Sequence, residues 1–281
     1  MEVRFYSVGD IDEKAMRYAV IAAQHGGKWI FVKQKARTTW EIPGGRNEQG
    51  ESIAQTAQRE LYEETGALQF VLTEVCDYSV TRGETTYGRL FFADIQQMGP
   101  LPESEISEVL LQEELPRELT YPDIQPLLLR RVKETIQEIV EVTEEHVEPW
   151  VRMGLKLWPD HSFCEMHKSL LEILHSEKET AFLCRVGQLY AGFIQVSIRV
   201  DYVEGSDSSP VGYVEGIYVE ESYRMLGIAK KLLARGERWA QARGCVQMGS
   251  DIEQHNAASY DFHTSVGFEE ANRIICFIKD I

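Results

Sequence analysis

Short apolar runs, separated by turn-forming residues, dominate the first hundred positions of the chain. Residues 18–23 (YAVIAA) and 28–34 (KWIFVKQ) are two such runs, and the QHGG sequence between them is typical of a hairpin turn. Residues 68–79 and 88–95 have the same character. The pattern predicts a set of strands, with one further short strand at residues 38–43.

One stretch has helical periodicity instead. Residues 52–65 are good helix formers, and Ile53, Ala57, Leu61 and Tyr62 recur near helical spacing. These four residues would form a single apolar stripe. We therefore predict one amphipathic helix among the strands.

Three carboxylates crowd one face of this predicted helix. Glu60, Glu63 and Glu64 fall at positions i, i+3 and i+4, where like charges cost roughly 0.2–0.5 kcal/mol per pair. The arrangement becomes favourable when a hard divalent cation sits among the oxygens, so we predict Mg²⁺ or Mn²⁺ here. Gly45 ends a Gly-Gly pair that allows a tight turn, and its carbonyl could add an oxygen ligand. The alternative is a solvated acidic helix face.

A longer pattern surrounds these carboxylates. Arg59 is the natural ion-pair partner for Glu51 or for the acidic cluster. The whole stretch at 45–67, GRNEQGESIAQTAQRELYEETGA, resembles the Nudix box at each fixed position. The resemblance implies an α/β/α sandwich with a mixed sheet, and hydrolysis of a nucleoside diphosphate-linked compound with Mg²⁺ or Mn²⁺.

The same resemblance suggests roles for individual residues. The predicted metal ligands are Gly45, Glu60, Glu63 and Glu64. Glu63 or Glu64 would also be the catalytic base that accepts a proton from the attacking water. The family often takes one more glutamate from a later loop, and Glu105 and Glu108 lie in the right part of the chain. A plain acidic loop is the alternative for both.

The boundary between the two halves is not marked by a linker rich in Ser, Gly or Pro. A second helix is predicted at about 124–134, and an alternating, strand-like run follows at 135–142. We therefore place the boundary near residue 135. This division predicts two domains, at 1–134 and 135–281, since the chain exceeds the usual size of one core.

In the second half, a strand, a loop and a helix follow one another. Residues 212–219 predict the strand, and residues 223–243 predict the helix. Arg224, Gly227 and Ala229 form an R-x-x-G-x-A sequence at the start of that helix, where small residues let backbone N–H groups approach phosphates. The sequence resembles the pyrophosphate loop of the GNAT acetyltransferases, which holds coenzyme A.

The likeness to the GNAT family extends over essentially the whole second half. Within that family it resembles the aminoglycoside 6'-N-acetyltransferases, at 157–162 (LWPDHS), 201–205 (DYVEG), 210–219 (PVGYVEGIYV) and 249–251 (GSD). The resemblance implies a mixed sheet flanked by helices and acetyl-CoA as the cosubstrate. It also implies acetyl transfer to the 6'-amine of an aminoglycoside, which confers resistance.

By the same resemblance, several residues would contact coenzyme A. The predicted set is Ile217, Val219, Arg224, Gly227, Ala229 and Asn256. The amides of Ile217 and Val219 would hold the pantetheine arm and polarise the thioester carbonyl. His263 stands where many members have a tyrosine that protonates the leaving thiolate, so a general acid and a packed or coenzyme-contacting histidine both stay open.

Glu215 and Asp251 are the predicted acids of the acceptor site. We expect each at or beside the end of a core strand, where a carboxylate needs a cation. An aminoglycoside brings several ammonium groups, and one of the two acids would take a proton from the attacking amine. The resemblance leaves open which acid is the base. Trp158 and Tyr202 would line the sugar site, with core packing as the alternative.

Composition restricts the classes of partner and the cellular compartment. The 281 residues include 29 Lys and Arg against 45 Asp and Glu, for a formal charge of −16. Such a surface repels nucleic-acid polymers and anionic membranes and attracts polycations. The five cysteines have no CxxC spacing and suit a reducing compartment, where we expect core thiols. We therefore predict a cytoplasmic enzyme of small-molecule substrates, aminoglycoside and nucleotide, and leave a homo-oligomer open.

Two rival functions stay open from the sequence. In one, the acetyltransferase acts on another polyamine or on a cellular amine. In the other, the Nudix-like half is a nucleotide-binding regulatory module. The joint presence of Arg59, Glu60, Glu63 and Glu64 favours catalysis over binding alone.

Overall fold

The computed structural model describes residues 1–275 and 277–280, so Cys276 lies outside the described residues. Two compact units are present. One comprises Met1–Gln137 with Val186–Leu189, and the other comprises Glu138–Arg185 and the chain from Tyr190 onwards. Both combine a sheet with helices, which confirms the predicted α/β class with two domains.

The first unit contains most of the strands. They are β1 (Glu2–Tyr6), β2 (Met16–His25), β3 (Lys28–Gln34), β4 (Gly44–Arg46), β5 (Ala67–Arg82), β6 (Glu84–Met98) and β7 (Ile106–Gln112). The helices are α1 (Ile53–Thr65) and α2 (Gln125–Thr135). The sheet order is β1-β5-β6-β2-β3-β7, with β4 paired to β2. Strands β2 and β6 run parallel and the other pairs are antiparallel, so the sheet is mixed.

Helix α1 covers one face of this sheet. Its apolar stripe is fully buried at Ile53, Ala57 and Leu61, and packs on a core that includes Phe91 and Ile95 of β6. Because side chains alternate along a strand, the residues flanking Phe91 lie on the opposite face. Helix α2 contacts β5 and β6, and Leu90 and Phe92 are buried. The first unit is therefore a sandwich of helix, sheet and helix.

The ends of α1 follow from local sequence. Ser52 and Gln55 form a reciprocal capping box at its start, which typically stabilises a helix by about 1 kcal/mol. Gly66 ends the helix in the left-handed conformation, with φ of 74°. The helix predicted at residues 52–65 thus has defined limits.

The second unit is built on a five-stranded sheet. Its strands are β8 (Gln137–Glu141), β9 (Glu179–Val186), β10 (Leu189–Arg199), β11 (Val211–Val219) and β12 (Met248–Ser250), in the order β12-β11-β10-β9-β8. Its helices are α3 (Val147–Leu157), α4 (Phe163–Leu174), α5 (Ile228–Gln241) and α6 (Ala257–Ser265). Strands β10 and β11 are antiparallel, whereas β11 and β12 are parallel.

Helices lie on both faces of this second sheet. Phe193 of β10 packs with Trp150 of α3 and Leu170 of α4. On the opposite face, α5 approaches so closely that a Cβ atom on Gly236 would lie 2.9 Å from Val196. Glycine at this position therefore lets α5 sit against β10. The mixed sheet flanked by helices is the architecture that the sequence predicted.

Some local predictions were wrong. Residues 38–43 form only isolated bridges rather than a strand. Cys164 is exposed, whereas Cys76, Cys184 and Cys245 are buried as expected. None of the helices in the described part of the chain combines the length and apolar composition needed to cross a membrane.

Candidate active sites

The carboxylates of α1 meet the Gly44-Gly45 turn. A side-chain oxygen of Glu64 accepts a hydrogen bond from the Gly44 amide at 2.8 Å. A Cβ atom on Gly45 would lie 2.0 Å from Glu60 Oε1, so only glycine allows the Glu60 carboxylate to rest against this backbone. The structure therefore brings together Gly45, Glu60 and Glu64, three of the four predicted metal ligands.

Arg59 links the remaining acids of the helix. It donates to Glu51 at 2.8 and 3.1 Å, to Glu60 at 2.8 Å and to Glu63 at 3.2 Å. Hydrogen bonding from Arg59 lowers the pKa of Glu51 to about 2. The guanidinium thus ties the loop before α1 to the acidic face, and both ion-pair partners considered from the sequence are present.

Glu64 is the least solvated of these acids, at 3% exposure. Burial raises its pKa to about 8, and the nearby charges of Glu60, Glu41 and Glu105 add to the shift, while the Gly44 bond opposes it. Burial likewise raises the pKa of Glu60. Several carboxylates therefore share one region in which burial and mutual repulsion disfavour their ionised forms.

Glu105 and Glu108, the two later glutamates, have different surroundings in the structure. The charge of Glu105 acts on Glu60 and Glu64. Glu108 instead pairs with Lys33 at 2.6 Å and is 56% exposed at its side chain. Glu105 is therefore the member of the pair that lies near the acidic cluster.

Glu41 belongs to the same region, although the sequence did not single it out. It is 7% exposed and receives two hydrogen bonds from Arg37, at 2.8 and 3.1 Å. Its position in the sequence, two residues before Pro43-Gly44, could have indicated that it lies near the turn that contacts Glu64. The acidic region therefore draws on three segments of the chain.

The acidic region has the type of oxygen ligand that a divalent cation binds, namely carboxylate and backbone carbonyl oxygens. Within the described residues, no three His, Cys, Asp or Glu side chains are already arranged to hold a metal ion. The oxygens available are nevertheless those that Mg²⁺ and Mn²⁺ prefer. Glu64 is buried and Glu60 is half-buried, and burial is the largest cause of the raised pKa of each. The residues present fit such an ion.

An open cavity of about 780 Å³ adjoins the loop that precedes α1. Three of its lining residues, Lys14, Arg17 and Arg46, form no ion pair with any other described residue. Of the acids that line it, Glu51 is bound by Arg59 and Glu13 caps the amide of Ile53. Asp12 and Glu48 also line the cavity, so its four acids outnumber these three cations.

In the second unit, β11 has an open edge. It pairs with β12 only over Gly212–Val214. The Glu220 amide donates to Ala191 of β10 at 2.9 Å. Because successive N–H groups of a strand point to alternate edges, the amides of Ile217 and Val219 point away from β10, toward the open edge.

Residues 221–223 of the loop between β11 and α5 form one 3-10 turn, and residues 224–227 are not helical, contrary to the prediction of a helix from residue 223. Met225 and Gly227 have positive φ values, 61° and 77°, so the helix begins only at Ile228. No side chain caps its first turn, which leaves N–H groups, including that of Ala229, for another partner. Arg224 is exposed and bonds the carbonyl of Val219 at 3.2 Å.

Asn256 and His263 lie on α6 and its cap. The side chain of Asn256 caps the helix by accepting from the Ser259 amide at 3.0 Å. His263 Nδ1 lies 2.7 Å from the Ser259 carbonyl, and Nε2 lies 3.0 Å from the Ser250 hydroxyl. Since a carbonyl only accepts, Nδ1 carries a proton, and Nε2 shares a hydrogen bond with the Ser250 hydroxyl.

Glu215 lies in the middle of β11 rather than at its end. Gln195 pairs with Gly216 and Val196 pairs with Val214, so Glu215 is the extra residue of a β-bulge. Bulges re-aim side chains and are frequent near active sites. Strand alternation in the sequence carries no sign of this bulge.

Ser197 and Arg199 both bind Glu215. The Ser197 hydroxyl donates to its Oε1 atom, and Arg199 donates to both carboxylate oxygens, at 3.0 and 2.8 Å. The sequence did not point to either residue, although Ser197 and Arg199 share one face of β10 by their spacing.

Asp251 follows β12 directly and is exposed. The Tyr213 hydroxyl donates to Asp251 Oδ1 at 2.5 Å, and Arg199 stacks on the Tyr213 ring at 3.3 Å. The structure therefore joins Glu215 and Asp251 through Arg199 and Tyr213.

The two predicted aromatic residues have different environments. The Trp158 ring covers Gly216, where a Cβ atom would lie 2.4 Å away, and packs near Phe193. Tyr202 is 81% exposed and donates to Glu204 at 2.6 Å. Trp158 thus packs against the residue that follows Glu215 in β11, and Tyr202 belongs to an exposed loop.

Comparison with known proteins finds a different family in each half of the chain. Residues 14–135 match the model of the NUDIX domain, and residues 140–268 match that of the acetyltransferase (GNAT) family. The chain is 38% identical over 142 residues to an aminoglycoside N(6')-acetyltransferase type 1 of Salmonella enteritidis, covering 50% of this chain and 98% of that protein. The corresponding protein of Serratia marcescens is 35% identical over 144 residues, covering 51% and 99%.

Solved structures of aminoglycoside N-acetyltransferase AAC(6')-Iy are also similar. One, in complex with CoA, is 37% identical with a TM-score of 0.51 and covers 52% of this chain and 95% of that chain. Another, in complex with the bisubstrate analog CoA-S-monomethyl-acetylneamine, has a TM-score of 0.50 at 37% identity, covering 52% and 99%. The chain belongs to the GNAT acetyltransferase family and carries a NUDIX domain in its N-terminal half.

Proposed function

We propose that the chain is a bifunctional enzyme. Its C-terminal half transfers acetyl from acetyl-CoA to the 6'-amine of an aminoglycoside, and its N-terminal half hydrolyses a nucleoside diphosphate-linked compound. The acetyltransferase proposal rests on one observation above all: two linked acids, Glu215 and Asp251, lie beside the open edge of β11 in a unit that matches aminoglycoside acetyltransferases along nearly their whole length.

Acetyl-CoA would bind along the open edge of β11 and the start of α5. The outward amides of Ile217 and Val219 would meet the pantetheine arm and the thioester carbonyl. The uncapped first turn of α5 would bind the pyrophosphate, because its N–H groups and the helix dipole favour anions. Arg224 would add a positive charge at the same loop.

The acceptor would bring its ammonium groups to Glu215 and Asp251. The charge of Glu215 is already matched by Arg199. Asp251 forms no ion pair with another described residue and accepts from the neutral hydroxyl of Tyr213. We therefore assign Asp251 as the base that takes a proton from the 6'-ammonium, directly or through water.

The reaction then balances in simple terms. The free amine attacks the thioester carbon, the new C–N bond forms, and the C–S bond breaks. Coenzyme A leaves as a thiolate and takes up a proton, while the amine nitrogen loses one. For His263 to supply that proton, the proton would have to leave from Nε2, the ring nitrogen that lies 3.0 Å from the Ser250 hydroxyl.

In the N-terminal half, Glu60, Glu63, Glu64 and the Gly45 carbonyl would hold Mg²⁺ or Mn²⁺. When bound, the ion supplies positive charge to the pyrophosphate oxygens and activates a water. Arg59 fixes the carboxylates of Glu60 and Glu63, and a glutamate of this region accepts the proton of the attacking water. Lys14, Arg17 and Arg46 line the adjoining cavity together with four acids, and these three cations would be the groups that meet the phosphates of the substrate.

The acetyltransferase proposal is tested by thiol release from acetyl-CoA with the purified full chain. Kanamycin or tobramycin should stimulate release, and a matched aminoglycoside with a 6'-hydroxyl in place of the amine should not. Release with simple polyamines or a cellular amine, but with no aminoglycoside, would overturn this acceptor class.

The hydrolase proposal is tested by phosphate or pyrophosphate release from a panel of nucleotides with Mg²⁺ or Mn²⁺. Glu60→Gln should reduce hydrolysis about 100-fold or more, since it removes a metal ligand and an Arg59 partner. Glu108→Gln is the matched control and should keep full activity. Nucleotide binding without hydrolysis in the wild type would favour a regulatory module instead.

A further inference from the structure

We propose that Arg199 is a positioning residue for both acids of the acceptor site, holding Glu215 directly and Asp251 through Tyr213. The inference rests on the proposed acetyltransferase function and goes beyond it. It concerns a cation placed inside a site that should receive a polycation, and it assigns that cation a role in turnover rather than in substrate binding.

The direct part of the link is the Arg199–Glu215 pair. Arg199 donates to Glu215 from Nε at 3.2 Å and from one terminal nitrogen at 3.0 and 2.8 Å. Ser197 donates to the same carboxylate. Since Glu215 is the extra residue of a bulge, its strand does not fix its direction as regular pairing would. These donors fix the orientation of its carboxylate instead.

The indirect part runs through Tyr213. The Arg199 guanidinium lies over the Tyr213 ring at 3.3 Å, a contact that holds a ring by charge and by stacking. The Tyr213 hydroxyl donates to Asp251 at 2.5 Å. Burial raises the pKa of Tyr213, and the bond to Asp251 raises it further, so the hydroxyl stays protonated. One side chain thereby orients both acids.

Two possible roles of Arg199 predict different changes in the KM for the aminoglycoside and in kcat. If Arg199 merely filled the place of a substrate ammonium, its removal would free Glu215 and lower the KM for the aminoglycoside. If Arg199 orients the two acids, its removal lowers kcat, because the amine and its base are no longer aligned. Acetyl-CoA binds elsewhere along β11, so its KM is a reference for intact folding.

The chain offers a matched control. Arg243 stacks on Trp239 at 4.1 Å and donates to the Trp239 carbonyl, in the same unit. Arg243→Met therefore removes a stacked arginine without touching either acid. Arg199→Met makes the same chemical change in the site, and Arg199→Lys restores the charge without the planar fork.

We expect Arg199→Met to lower kcat with tobramycin about 10- to 100-fold, with the acetyl-CoA KM changed less than about twofold. Arg199→Lys should recover part of that loss, and Arg243→Met should behave as wild type. Unchanged kcat with a lower tobramycin KM, or a drop in which the acetyl-CoA KM rises equally, would overturn the inference.

A double-mutant cycle tests the indirect link. Tyr213→Phe keeps the ring and removes only the bond to Asp251, so kcat should fall about tenfold in the wild type but less than about threefold in the Arg199→Met background. Additive effects would refute the link through Tyr213. No turnover by wild type with any aminoglycoside would refute the proposed function and, with it, the role of Arg199. An active wild type together with a fully active Arg199→Met variant would refute the role of Arg199 alone.

Discussion

Carboxylates of this chain differ in whether a cation already matches their charge. Arg59 binds Glu51, and Arg199 binds Glu215. Glu64 is only 3% exposed, and within the described residues its hydrogen bond comes from the uncharged amide of Gly44. The unmatched acids are therefore the ones most suited to meet a metal ion or an ammonium group.

The raised pKa of Glu64 predicts how stability depends on pH. On folding, this pKa rises from 4.5 to about 8, so the contribution of the protonated form is complete below about pH 4.5 and lost as pH rises through about 8. Without divalent metal, wild type should lose on the order of a few kcal/mol relative to Glu64→Gln between pH 5 and 8.5. Urea unfolding in EDTA at each pH measures this difference.

A matched variant defines what would contradict this prediction. Glu108→Gln removes an exposed acid of the same unit, and its stability relative to wild type should stay nearly constant over the same pH range. A Glu64→Gln difference as flat as that of Glu108→Gln would mean that Glu64 does not carry the burial penalty.

The sequence indicated which residues lie near one another where local spacing carried the information. The box residues Glu60 and Glu64 are placed by one helix and one turn, and the structure brings them to Gly45. Arg199 could not be found in this way, because its link to Glu215 depends on strand register and on a bulge. Neither leaves a periodic signal in the sequence.

Among the elements, the start of α5 is the one to which we assign the binding of the coenzyme A pyrophosphate. Gly227 stands just before it with φ of 77°, and a Cβ atom added there would meet no other atom within 4 Å. The sequence predicted a helix from residue 223, since helix formers continue backwards from α5. Left-handed conformations at Met225 and Gly227 interrupt that pattern, and they expose the first turn.

Gly227→Ala should raise the KM for acetyl-CoA about tenfold, because a left-handed alanine costs roughly 1–2 kcal/mol and the loop would relax away from this shape. Gly244→Ala is the control. Gly244 has φ of 86°, also has open space around it, and follows the other end of α5. Steady-state kinetics with acetyl-CoA varied would separate the two, and equal KM increases would contradict the role of the loop.

Strands and helices with strong periodicity were predicted well. β3 runs from Lys28 to Gln34 and α1 from Ile53 to Thr65, in agreement with their apolar patterns. The segment at 38–43 was wrong because its bridges depend on distant partners, Val32 and Leu119. The predicted domain boundary near residue 135 stays a prediction.

For the whole molecule, the two proposed activities have different requirements. The proposed hydrolysis uses a metal ion at the carboxylates of α1, and the proposed acetyl transfer is assigned only to side chains and backbone amides of the second unit. A chelator should therefore reduce nucleotide hydrolysis about 100-fold or more and leave thiol release unchanged. Parallel assays of one preparation with and without EDTA measure both rates, and a joint loss would show that the acetyltransferase depends on the metal-bound half.

In the proposed function, Asp251 and its neighbours activate an aminoglycoside amine for acetyl transfer. The most direct measurement is tobramycin-dependent thiol release from acetyl-CoA by wild type and Asp251→Asn, which keeps the shape of the side chain and its bond from Tyr213. We predict rapid release by wild type and a loss of about 100-fold or more in kcat in the variant, with the acetyl-CoA KM unchanged. Equal kcat values in the two proteins would contradict the account.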